Sequence, residues 1–126
     1  MTVRAVRGAV QLERDDRGHL VDSTKSLLKE MLDANELEQQ DLISVIFTAT
    51  PDLRSEFPAV AARELGLTDT PLMCAQELGI PGALPRVIRI LVHAETDRRK
   101  RDVRHVYLGG AAALRTDLAG SPGGTR

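Results

Sequence analysis

The 126-residue chain has no Trp, one Tyr, two Phe and one Cys. So few aromatic rings leave no platform on which unpaired bases could stack. A lone Cys74 excludes an internal disulfide framework and a Cys-based zinc site, and fits a reducing cytoplasm. No apolar run approaches the length of a membrane span, and Met1-Thr2-Val3-Arg4 lacks the apolar region of a signal peptide. A cytoplasmic protein that engages no membrane is expected. Charge of one sign is lacking too: 17 Lys and Arg against 18 Asp and Glu give a net charge of -1, so no global basic field recruits nucleic acid. Also missing are a Gly-x-Gly-x-x-Gly loop, a Gly-Lys-Ser/Thr phosphate loop and a pair of histidines at ligand spacing, so no cofactor and no metal is expected. His19, His93 and His105 are scattered and read as surface or packed residues, and Arg98-Arg99-Lys100-Arg101 reads as a solvated turn.

What is present fits one domain over residues 1–118, with a glycine-rich flexible tail at 119–126. Residues 2 to 12 are rich in strand formers and end at the turn-like Arg14-Asp15-Asp16-Arg17-Gly18. Asp22 or Ser23 can cap a helix to about Asn35, with Leu27, Leu28, Met31 and Leu32 on one face. Leu42 to Thr50 is nearly continuously apolar and reads as a central strand, stopped by Pro51-Asp52. Pro58 opens and Gly66 closes a short helix over 59–65. Further strands are expected around Thr70 to Cys74, 84 to 92, and 103 to 108. Together these elements predict an α+β fold, a mixed sheet with helices on one face. The other face then needs a cover, and self-association is the simplest one.

Arg89 stands inside Val87-Ile88-Arg89-Ile90-Leu91-Val92, the most apolar stretch of the chain, and Arg7 sits in a similar setting. A guanidinium in apolar surroundings needs an anionic partner, from the protein or from a ligand. Glu13, Asp52 and Glu77 are the protein candidates; a small anion in a dry positive pocket is the other.

The ordered motifs Arg7-Gly8-Ala9, Glu13-Arg14-Asp15, Thr48-Ala49-Thr50-Pro51-Asp52-Leu53, Phe57-Pro58-Ala59, Arg63-Glu64-Leu65, Cys74-x-Gln76-Glu77, Arg86-x-x-Arg89, Arg104-His105-Val106-Tyr107-Leu108 and Leu114-Arg115-x-Asp117-Leu118 closely resemble the monofunctional chorismate mutases of the trimeric pseudo-α/β-barrel class. The resemblance runs over residues 3 to 118 without large gaps. It implies a homotrimer with active sites at the subunit interfaces and a cofactor-independent rearrangement of chorismate to prephenate, a step toward phenylalanine and tyrosine.

Carried over residue by residue, the resemblance gives the catalytic positions as Arg89, Glu77, Arg7 and Tyr107. Arg89 would contact the ether oxygen and a carboxylate, Arg7 and Tyr107 would hold the side-chain carboxylate, and Glu77 would face the ring with Cys74 nearby. Substrate-binding positions would be Arg63, Cys74, Phe57, Ala59, Met73, Leu114 and Arg115, with Arg63 and Arg115 toward the mouth and Phe57 and Leu114 as apolar walls. Arg7, Arg89, Tyr107 and Arg115 would come from one subunit, and Phe57, Ala59, Arg63, Cys74 and Glu77 from its neighbour. Val60 and Met73 depart from the lysine and threonine common in the family and make the rim less positive and less polar. The competing reading is a non-catalytic trimeric binding module for a small dianionic metabolite, since fold alone does not fix activity.

Overall fold

The computed structural model describes residues 1–114, so Arg115 and the segment 119–126 lie outside the described residues. Among the described residues the chain forms β1 (Thr2–Gln11), α1 (Arg17–Ala34), β2 (Leu42–Ala49), α2 (Ala59–Glu64), β3 (Leu72–Gln76), β4 (Val87–Thr96) and β5 (Val106–Leu108). The strands build one mixed sheet in the order β3-β2-β4-β1-β5. Its centre, β2, β4 and β1, is antiparallel, while β3 joins β2 and β5 joins β1 in parallel. The expected α+β architecture with both helices on one face is what forms. The segment expected to be a central strand, β2, is an interior strand paired with β3 on one side and β4 on the other. No helix among the described residues is long and apolar enough to cross a membrane.

The core lies between the sheet and the helices. Side chains alternate across a strand, so Val6 and Val10, Val45 and Phe47, and Ile88, Ile90 and Val92 all reach one face. There they bury against Leu20, Leu27, Leu28 and Met31 of α1 and Ala61 and Ala62 of α2. Gly8 is what lets α1 come this close: a Cβ added there would stand 2.3 Å from Met31 Sδ.

α1 begins at Arg17, a full turn before the expected caps Asp22 and Ser23. The cap is Asp16, whose carboxylate accepts the His19 N–H at 2.9 Å, satisfying one of the free donors of the first turn. Gly18 inside that turn gave the segment the composition of a loop. At the other end the buried Asn35 amide donates to the carbonyls of Met31 and Arg104, each at 2.8 Å, and accepts the Arg104 N–H at 2.8 Å. With the Arg104 backbone engaged by that side chain, β5 starts at Val106 instead of Val103.

The start of β4 is also displaced from the expected 84 to 92. Arg86 adopts φ +53, a conformation uncommon outside glycine. Its N–H donates to both Asp52 oxygens at 3.2 and 3.1 Å, and its Nε donates to the Leu12 carbonyl at 2.9 Å. The Thr50 hydroxyl donates to Asp52 at 2.5 Å and accepts the Val87 N–H at 3.0 Å. This corner fixes where β4 enters the sheet and therefore which of its residues face outward. Gly66, at φ +90, ends the short helix α2 as its sequence position implies. β3 forms two residues later than expected, over Leu72–Gln76.

Candidate active site

The alternation that sends Ile88 and Ile90 into the core turns Arg89 to the face away from the helices. Register sets Arg89 between Ala9 on β1 and Thr48 on β2, with Arg7 diagonal to it across Leu91. Tyr107 on β5 pairs with Ala9 and shares the face. Because Ala9 is small, these neighbours leave a hollow of about 240 Å³ with Ile46 and Leu91 in its apolar floor and Arg7, Thr48, Arg89 and Tyr107 in its wall. Four positions far apart in sequence converge there through strand pairing alone.

Glu77 follows β3 directly, and its N–H donates to the Ala49 carbonyl at 2.9 Å. By strand parity it belongs to the same face as Thr48. Its Oε2 accepts Arg89 Nε–H at 3.0 Å and the Thr48 hydroxyl at 2.6 Å. The Arg89 side chain is 36% exposed and that of Glu77 20%, so the pair stands at the edge of solvent and its net stabilisation is small. Glu77 is thus the protein anion that Arg89 required, and it comes from the same chain, where the resemblance had allotted it to a neighbouring subunit. Glu77 engages only Nε, and among the described residues the two terminal nitrogens of Arg89 carry no hydrogen bond. The exposed Arg7 guanidinium likewise holds no carboxylate among the described residues. Two cationic groups therefore face the hollow with capacity for an anion.

His105 supports this wall from behind. Its Nδ1 accepts the Arg7 backbone N–H at 3.0 Å, a bond open only to the neutral ring. Burial, with a smaller effect from the nearby Arg7 charge, holds its pKa below the usual histidine value. Sequence alone suggested only a surface or packed histidine.

A second group of the expected residues lies elsewhere. Phe57 and Cys74 line a cavity of about 430 Å³ with Leu53, Pro58 and Gln76. Phe57 is 68% exposed at its mouth. The loop carrying Phe57 is clamped to the start of α1: Asp15 accepts the N–H groups of Arg54 and Ser55 at 2.9 and 3.1 Å. Glu56 accepts the Phe57 N–H at 3.0 Å and Arg17 Nε–H at 2.8 Å, and these two bonds keep its carboxyl pKa below the ordinary glutamate value. Cys74 pairs with Phe47 in the register and packs toward the core on the helix side, whereas Glu77 and Met73 share the Arg89 side. Cys74 and Glu77 therefore face opposite sides of the sheet within one chain, contrary to the expectation of Cys74 close to Glu77.

Of the remaining positions, Ala59 is the first residue of α2 and is buried in the core, so its methyl group offers no contact surface to a ligand in the isolated chain. Met73 is 63% exposed. Arg63 is exposed on α2, and Leu114 packs against a small cluster of Ala9, Val87 and Ala111. Arg115 lies outside the described residues. Thr48 is the residue that sequence reasoning passed over. It was visible only as part of a motif, because its value depends on two strand pairings.

The chain matches the family described as chorismate mutase type I over residues 3–118. It is 48% identical over 117 residues to "Chorismate mutase AroH" of Thermus thermophilus, spanning 92% of this chain and 96% of that protein. It is 38% identical over 120 residues to "Chorismate mutase AroH" of Bacillus subtilis, spanning 94% of each. A solved chorismate mutase from Clostridium thermocellum superposes with a TM-score of 0.86 at 48% identity, covering 87% of this chain and 98% of that one. Matches of this extent, over a sheet whose outward arginines gather in one hollow, make the chain a member of the chorismate mutase type I family.

Proposed function

We propose that the Arg7–Arg89 hollow binds chorismate and accelerates its rearrangement to prephenate. The observation that carries this reading is the partial pairing of Arg89: Glu77 fixes the guanidinium by Nε, while among the described residues its terminal nitrogens and the Arg7 guanidinium hold no carboxylate. The substrate has two carboxylates and must be held in a compact form that brings its two reacting carbons together, which is work that fixed cationic donors perform. As the ether C–O bond breaks and the new C–C bond forms, negative charge grows on the oxygen and positive character on the ring. Arg89 meets the first and Glu77 the second. Since both charges grow along the reaction, these groups lower the barrier more than they tighten binding. A simple dianion receptor would gain nothing from a carboxylate at this place.

Arg7 and Tyr107 hold the side-chain carboxylate; Arg63 and Arg115 serve the ring carboxylate from the mouth; Met73 and Leu114 flank the rim. Phe57, Cys74 and Ala59 complete the site from a neighbouring chain. Support for a homotrimer comes from the two faces of the sheet: one small dianion cannot touch both the Arg89 hollow and the Phe57–Cys74 cavity of a single chain. Exposed Phe57, Met73, Leu78 and Ile80 near the β3 edge add apolar area suited to a partner. A main core shared by the sheet and both helices supports a single domain over 1–118, and the lone thiol of Cys74 suits a cytoplasmic setting.

The test is the loss of chorismate's ultraviolet absorbance and the appearance of prephenate with purified protein in the presence of chelator. Absence of turnover would sink the reading. Solution mass near three chains is expected, and a fully active monomer would contradict the shared site.

A further inference from the structure

The Glu77 carboxylate takes two donors on one oxygen, Arg89 Nε–H at 3.0 Å and the Thr48 hydroxyl at 2.6 Å. Both arrive at Oε2, so the other oxygen is turned away from them. Thr48 is directly opposite Arg89 in the register, and Glu77 is anchored one step past β3 by its N–H to Ala49. Three strands therefore place three side chains in one short relay. Arg89 alone could not fix the carboxylate: a planar guanidinium offers paired N–H groups, and a carboxylate with no other donor prefers to close on them with both oxygens. Such closure would occupy the terminal nitrogens that an anionic substrate needs. A short hydroxyl bond to the same oxygen resists that rotation.

We propose that Thr48 is a positioning residue for the reaction, acting through Glu77. Its hydroxyl keeps the carboxylate on Nε by a single oxygen, which leaves the Arg89 fork open and presents the second oxygen toward the substrate. This rests on the proposed rearrangement at this hollow and adds to it the group that orients Glu77. The alternative is a packing role, since Thr48 is half-buried and its methyl group contributes to the wall.

The experiment compares steady-state kinetics of wild type, Thr48→Val and Thr48→Ser, with thermal unfolding followed alongside. Valine keeps the shape and removes the hydroxyl; serine keeps the hydroxyl and removes the methyl. Thr48→Val is expected to lower kcat about 10- to 100-fold, the range for one hydrogen bond to a charged group, with a smaller change in KM. Thr48→Ser should stay within about threefold of wild type, since it retains the bond to the carboxylate. In a Glu77→Ala background, adding Thr48→Val should change kcat by less than about twofold, because residues acting as one unit are not additive. Should the valine variant not fold, Thr48→Ala replaces it in the same comparison. An active Thr48→Val, a serine variant as impaired as the valine one, or an undiminished effect without Glu77 would each overturn the proposal while leaving the rearrangement itself intact. A wild-type protein without turnover would instead overturn the underlying reading and this inference with it.

Discussion

On the helix-covered face of the sheet, Val6, Val45, Phe47, Ile88 and Ile90 are shut away from water; one residue along the same strands, Arg7, Thr48 and Arg89 line an open hollow. The two faces share a backbone and differ only in parity. The dry face stabilises the fold through close packing, and its tolerance for change is low. On the open face a charged pair at the edge of solvent contributes little to stability, and it leaves the terminal nitrogens of Arg89 without a partner among the described residues. Fold and chemistry are thus separated by a single step of register, so a one-residue slip would bury the arginines and expose the core.

Three substitutions or conditions can break or sharpen this contrast. The largest effect is expected from Phe47→Ala, which opens a void in the dry face and should cost about 3–5 kcal/mol in denaturant unfolding. Per folded molecule its turnover should change little; a stable Phe47→Ala protein would mean that the core is not where the fold is held. Next is Arg89→Ala on the open face, expected to reduce kcat by roughly 10²-fold, the scale of losing one preorganised donor. Its unfolding free energy should move by less than about 1 kcal/mol, since the pair is partly solvated. Near-normal turnover would end the electrostatic account.

The smallest effect concerns His105, which joins the two regimes by accepting the Arg7 N–H beside the hollow. Its pKa is lowered in the folded chain from the ordinary 6.5. The unfolded chain then binds the extra proton first, so the stability associated with the neutral ring is present above pH 6.5 and falls as pH drops through the lower folded value. Unfolding midpoints between pH 7 and 5 in wild type and His105→Gln should show a shallower decline in the variant over that interval. Parallel curves would assign the acid sensitivity to other groups.

Sequence reading succeeded where local pattern and local structure agree. Pro58 and Gly66 bracket α2, the apolar run of β2 forms a strand, and the i, i+3, i+4 spacing of Leu27, Leu28 and Met31 faces the core. It slipped where distant groups take over backbone bonds. α1 starts early because Asp16 caps a turn containing Gly18; β4 starts late because Asp52 and Leu12 hold Arg86; β5 is short because Asn35 occupies Arg104. The candidate site positions came as a set from their ordered motifs, while their distribution in space was not legible there. Cys74 on the helix side and Glu77 against Arg89 of its own chain follow from parity and strand order, and Ala59 is buried by the packing of α2 on the core.

By itself the sequence determined the α+β class, the family and the need of Arg89 for an anion, because composition, periodicity and ordered motifs are properties of the chain alone. Only the tertiary structure decided that the anion at Arg89 is Glu77, that Thr48 grips the same oxygen, and that the Arg7 guanidinium holds no carboxylate among the described residues. Those facts depend on which strands pair and in what register, and long-range pairing is decided by burial of one whole face at once.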